Sequence, residues 1–180
     1  MESYHVLISF INDLFIRGLF ISILSVIIAG KLFKTDIRNT LEIMRWVMIS
    51  YAVLNIGRYV SDLFDPKGIS DLFDEVNGPD VYMFYLTIIP NTIFPLSLLF
   101  KKAGRNKYML LAMSVLMHIG WFVEFCVVYN YGIKTEELVD QLYTYLWFLL
   151  LKGLLVGGII NAIGNAITAF QRRRLNAGHY

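Results

Sequence analysis

The stretch VYMFYLTIIPNTIFPLSLLF, residues 81–100, runs for twenty residues without a charged side chain. A helix needs about 20 mostly apolar residues to cross the hydrocarbon core of a bilayer. This stretch is therefore expected to be a transmembrane helix. It is bracketed by an acid-rich loop before it (Asp65, Asp71, Asp74, Glu75, Asp80) and a basic loop after it (Lys101, Lys102, Arg105, Lys107). Four further apolar runs lie on either side, at 6–32, 41–64, 108–129 and 142–170. The runs are continuous rather than alternating, which excludes a closed β-barrel. The expected fold is one all-α transmembrane domain over residues 1–180, a four-helix bundle plus one helix.

Composition agrees. Hydrophobic residues make up 57% and charged residues 17%, against roughly 25% charged in an average soluble domain. A disordered chain needs the opposite balance. A soluble domain of this size buries only about 70% of its surface, too little to hide so much apolar matter. The net charge of +2 gives no case for nucleic acid as a partner. The single cysteine, Cys126, excludes an internal disulfide, a CxxC pair and a four-cysteine zinc or iron–sulfur site. Of the three histidines only His118 falls clearly within a span, whereas a bis-histidine haem needs two. No phosphate-binding loop, zinc motif or serine-nucleophile motif occurs.

Orientation follows from Lys and Arg, which favour the cytoplasmic side of short loops. The segments 31–39 and 101–107 and the tail at Arg172–Arg174 carry ten basic residues, while the opposite side has Lys67 and Lys134. The N-terminus is expected outside and the C-terminus in the cytoplasm. The first apolar run lacks a basic leader and a small-residue cleavage site, so it is expected to stay in the mature chain.

Eight charged residues remain inside the spans. They are Arg17, Arg45, Arg58 and Lys152, and Asp13, Glu42, Asp62 and Glu124. Each costs at least ~2.5–3.5 kcal/mol at the bilayer centre, so such groups pair or face a wet cavity. At ~1.5 Å per residue, Arg17, Asn55, His118 and Lys152 fall near mid-membrane. Asp13, Arg58, Asp62 and Glu124 fall in the outer half. Arg45 and Glu42 lie near the inner face and are expected to snorkel. Asp13 and Arg17, like Arg58 and Asp62, stand four apart on one helix face. The layer reads in two ways, as structural pairs that lock helices or as a polar site or proton path. His118 suits the second, because imidazole ordinarily titrates near neutrality.

The last span carries Gly153, Gly157, Asn161 and Asn165 at spacing four, a stripe expected to pack against a neighbouring helix. Pro90 and Pro95 bend the third span and free carbonyls beside Asn91. That kink reads equally as a lateral slot for a lipid-soluble ligand or as a packing device. Tyr129, Tyr131, Tyr143 and Tyr145 are expected to form an interface belt, and Arg172–Arg174 to meet lipid head groups.

The run IRNTLEIMRWVMISYAVLNIGRYVSDLFDP, residues 37–66, resembles a helix of the polysulfide reductase membrane-subunit (NrfD-like) family, which includes quinol-oxidising subunits of alternative complex III. The matching residues are Arg38, Glu42, Gly57, Arg58 and Pro66. GPDVYMFYLTIIPNTIFPLSLLFKKAGRN, residues 78–106, resembles the family's aromatic–Asn–Pro–basic-loop helix. HIGWFVEF, residues 118–125, resembles its Asn-Ile-Gly-Met-Trp-Phe-Glu-Arg-Phe run at Ile119, Gly120 and Glu124. The chain departs from the family at Asn55, where members often carry histidine, and at Phe125, where they carry arginine. Members also have eight to ten helices in two bundles, so this chain is half-length.

The resemblance implies a subunit of the bacterial inner membrane, without haem, iron–sulfur cluster or other metal of its own. It would bind quinone or quinol in the outer half of its bundle. Electrons would pass to an extrinsic iron–sulfur or haem subunit, with other membrane subunits and lipids around it. His118 and Glu124 would accept protons, with Asn55, Arg58, Asp62, Asn91 and Lys152 around the quinol. Two other readings stand beside this one: a non-catalytic anchor, accessory or assembly subunit, and a proton- or ion-conducting subunit. The acidic loops would dock a partner or simply be solvated.

Overall fold

The computed structural model describes residues 6, 10–65, 69–70, 77–78, 81–119, 122–123 and 135–177. The architecture is all-α, with no strand among the described residues. A π-helical turn, Asn12–Ile16, leads into α1, Arg17–Phe33; α2 is Arg38–Asp62 and α3 is Val81–Leu96. A 3₁₀ turn, Ser97–Leu99, and a short helical turn, Lys101–Gly104, follow. Then come α4, Lys107–Leu116, and α5, Thr135–Ala177.

Helix α1 buries Leu19, Ser22, Ile23, Val26 and Gly30, a stripe at helical spacing. It stops at Lys34, whose left-handed φ of 51° closes the last turn with an N–H bond to the Gly30 carbonyl. The Thr35 N–H bonds the same carbonyl at 3.2 Å. Helix α2 begins where the Asp36 carboxylate accepts the Arg38 N–H at 3.0 Å, a carboxylate where the helix dipole favours one. Its buried face runs through Met44, Met48, Ala52 and Asn55.

Helix α3 holds Pro90 and Pro95, each of which removes a backbone donor. Its regular part ends one residue after the second proline and tightens into the 3₁₀ turn. The Asn106 side chain then caps α4 by accepting the Tyr108 N–H at 3.0 Å. The shared core joins Leu19 and Ile23 of α1, Met44 and Met48 of α2, Leu110 of α4 and Ile160 of α5. The strongest packing is between α1 and α5, and α2 lies against α3 and α5.

The α1–α5 seam is the expected small-residue contact. A Cβ on Gly153 would stand 2.8 Å from the Gly18 carbonyl oxygen and 2.6 Å from the Ile21 Cβ. The Ser22 hydroxyl sits between the Gly18 and Gly153 carbonyls, at 2.9 and 2.8 Å, and shares its one proton between them. Gly157 meets Ser25, and further along Gly164 meets Thr40 of α2.

Among the described residues one helix, Tyr143–Gln171, is long and apolar enough to cross a membrane, and only 22% of its apolar window is buried. The other expected spans come out differently. The first is divided by the π turn, leaving 17 α-helical residues. The second carries Arg38, Glu42, Arg45, Arg58 and Asp62. The third has 16 regular helical residues. Helix α4 runs for 10 to a turn over Met117 and His118, beyond which the Phe122 N–H bonds the His118 carbonyl at 3.0 Å, and residues 124–129 of the expected fourth span lie outside the described residues.

Candidate functional site

His118 sits where α4 unwinds. In a continuous α-helix its N–H would bond the Ser114 carbonyl. Here it bonds Val115, at 2.9 Å. The imidazole fills the gap, with Nδ1 2.6 Å from the Ser114 carbonyl oxygen. Nε2 lies 2.7 Å from the Arg17 carbonyl oxygen, at the junction of the π turn and α1. Arg17 and His118 therefore share one level, as the depth arithmetic expects. Both ring nitrogens lie against main-chain oxygens, and the one that carries the proton donates, so the ring is wedged between the two helices. A general base instead presents a nitrogen lone pair to its substrate.

The other sequence-derived candidates are mostly engaged within their own helices. Asn55 is buried and donates to the Tyr51 carbonyl at 3.0 Å. Asn91 donates to the Thr87 carbonyl at 2.8 Å. Arg58 Nε lies 3.8 Å from Asp62 Oδ2, the expected pairing of residues four apart, and its guanidinium lies over the Tyr59 ring. Lys152 is exposed on α5, beside the Gly153 contact. Glu124 lies outside the described residues, as do Tyr129 and Tyr131. Arg17 stacks over Tyr145 at 5.9 Å, so this tyrosine of the expected belt turns toward the bundle. Among the described residues no group of three or more His, Cys, Asp or Glu is placed to hold a metal ion.

Arg45 overturns an expectation. It does not snorkel but is 7% exposed. Its Nε donates to the Leu98 carbonyl at 2.8 Å and its NH2 group to Leu99 at 3.4 Å. Its NH1 group pairs with Glu42, whose Oε1 also accepts the Trp46 indole N–H at 3.1 Å. The 3₁₀ turn leaves carbonyls without intrahelical donors, and a guanidinium offers five N–H groups in a fixed fork. Gly104 makes room for it, since a Cβ there would stand 2.3 Å from Arg45 Nε. The sequence signal was present as Glu42 and Arg45 three apart, and as the glycine within KKAGRN.

Beside this cluster an open groove of about 520 Å³ runs along the other side of α2. Ile11, Phe15, Val47 and Leu54 line its apolar length, with Ile167 from α5. Its polar end is Asn39, Glu42 and Trp46. Asn39 donates to Thr168 Oγ1 at 2.9 Å, which joins α2 to α5 there.

No family model, curated protein or solved structure matches the chain.

Proposed function

We propose that the chain is a multi-pass subunit of the bacterial inner membrane that acts as a non-catalytic anchor or accessory for partner chains. The observation that carries this reading is His118, whose two ring nitrogens each face a main-chain carbonyl. The engaged amides of Asn55 and Asn91 support it. Membrane insertion is supported by the exposed apolar side chains of α5, among them Leu151, Leu155, Ile159 and Ile163. A contiguous apolar surface of that extent marks a membrane or protein contact. The basic residues of segments 31–39 and 101–107 support a cytoplasmic position for those loops. The NrfD-like resemblance of residues 37–66 and 78–129 supports membership of a larger assembly. The quinol-binding reading from that resemblance needs an open polar slot at His118 and Asn91, and the contacts of both side chains weigh against it.

The test is purification of the native protein in a mild detergent, identification of co-purifying chains and extraction of bound quinone. The expected result is a set of partner chains without stoichiometric quinone. His118→Ala should lower recovery of the assembly, because the α1–α4 contact is lost. Stoichiometric quinone, with turnover abolished in an intact His118→Gln assembly, would overturn the proposal in favour of quinol oxidation.

A further inference from the structure

The groove beside α2 has the polarity of a single lipid molecule. Asn39, Ile43, Trp46, Ser50 and Leu54 recur along one face of α2, so the groove runs parallel to the helix. From Asn39 to Leu54 it spans ~22 Å at 1.5 Å per residue. That covers one leaflet of a hydrocarbon core about 30 Å thick, with some excess. Asn39 and the charged Glu42 lie at one end, with Ser50 and Tyr51 farther along, and that end also carries the basic loop residues Lys31, Lys34 and Arg38.

The groove has a volume of about 520 Å³, room for an extended hydrocarbon chain lying along α2. The polar end decides the head group. Glu42 Oε1 takes both the Arg45 and the Trp46 donors. A carboxylate accepts on two oxygens, so Oε2 can take a further donor, on a side chain 41% exposed. Arg38, exposed, lies one turn nearer the helix start on the same face. A head that carries a primary ammonium and a phosphate meets a carboxylate and a guanidinium there. A quaternary ammonium offers no N–H to Glu42, and a head without an amine leaves the carboxylate unmatched.

We propose that this groove is a binding site for one acyl chain of phosphatidylethanolamine, with the head-group ammonium on Glu42. The site rests on the membrane reading above. The full chain is reconstituted into phosphatidylcholine nanodiscs as a Trp121→Phe, Trp147→Phe variant, so that Trp46 in the groove is the sole reporter. Lipids with brominated chains are then added as phosphatidylethanolamine, phosphatidylcholine or phosphatidylglycerol. The expected result is quenching of Trp46 several-fold stronger by brominated phosphatidylethanolamine than by the other two. Glu42→Gln keeps an oxygen for Arg45 and Trp46 but should erase the head-group preference. Ser50→Phe, at an exposed groove position, should weaken quenching by all three, with helicity checked by circular dichroism.

Equal quenching by the three lipids would overturn the site and leave ordinary lipid contact. A preference for phosphatidylglycerol would overturn the head-group assignment. Decylubiquinone quenching Trp46 in preference to every brominated lipid would overturn the lipid and restore the quinol reading. A chain that fails to float with the nanodiscs would overturn the membrane reading itself, and this site with it.

Discussion

Arg45 shows how one buried charge can organise a helix end. Its guanidinium satisfies the Leu98 and Leu99 carbonyls and balances Glu42. A buried acceptor left without its donor costs about 1–3 kcal/mol. Lysine keeps the charge but not the fork. Arg45→Lys should therefore destabilise the folded chain by about 2–3 kcal/mol, read as a lower midpoint of chemical unfolding in detergent micelles. Gly104→Ala should act in the same direction by pressing on Arg45 Nε. Sequence alone located Arg45 near a membrane face, where long side chains ordinarily reach for water. The carbonyls that hold it inside belong to a 3₁₀ turn 53 residues away, and hydropathy carries no sign of that turn. The candidates of the polar layer were legible as residues that need partners. The identity of those partners depended on rotamers and helix rotation, and for His118 they proved to be main-chain oxygens.

Among the elements, α1 and α5 make the closest contact, and glycine identity matters on one side of α5 only. Gly153 and Gly157 press on α1, while a Cβ on Gly158 would meet nothing within 4 Å. Gly153→Ala should therefore cost about 1–3 kcal/mol by overpacking the seam. Gly158→Ala should be neutral or gain up to about 1 kcal/mol through helix propensity. Thermal midpoints of the two variants in one detergent would check the contrast. The spacing of the stripe announced a packing face, but the glycine beside it at 158 shares the composition and not the contact. The expected helix boundaries fared best where a turn signal was local. Asn106 caps α4 as its type suggests, whereas the turn over Met117 and His118 contains no Gly or Pro to announce it.

For the whole molecule, the all-α architecture followed from continuous apolar runs, and the structure retains helices in all five regions. The runs did not give equal helices. A π turn interrupts the first, charges punctuate the second, and two prolines shorten the third. These are backbone events that a sliding average of hydropathy smooths away. The groove was not legible at all, since it depends on how far the π turn, α2 and the end of α5 stand apart.

The 29 residues from Tyr143 to Gln171 make an apolar rod ~44 Å long. A hydrocarbon core is about 30 Å thick. In the proposed membrane setting the rod must lean, by on the order of 45°, or gather thicker lipid around itself. The excess length lies in α5 and asks for thicker lipid beside that helix. Thermal stability in vesicles of graded chain length should peak at long chains, and a flat response would mean that α5 absorbs the excess by tilt alone. In the proposed membrane setting the long apolar face of α5 favours thicker bilayer around the protein.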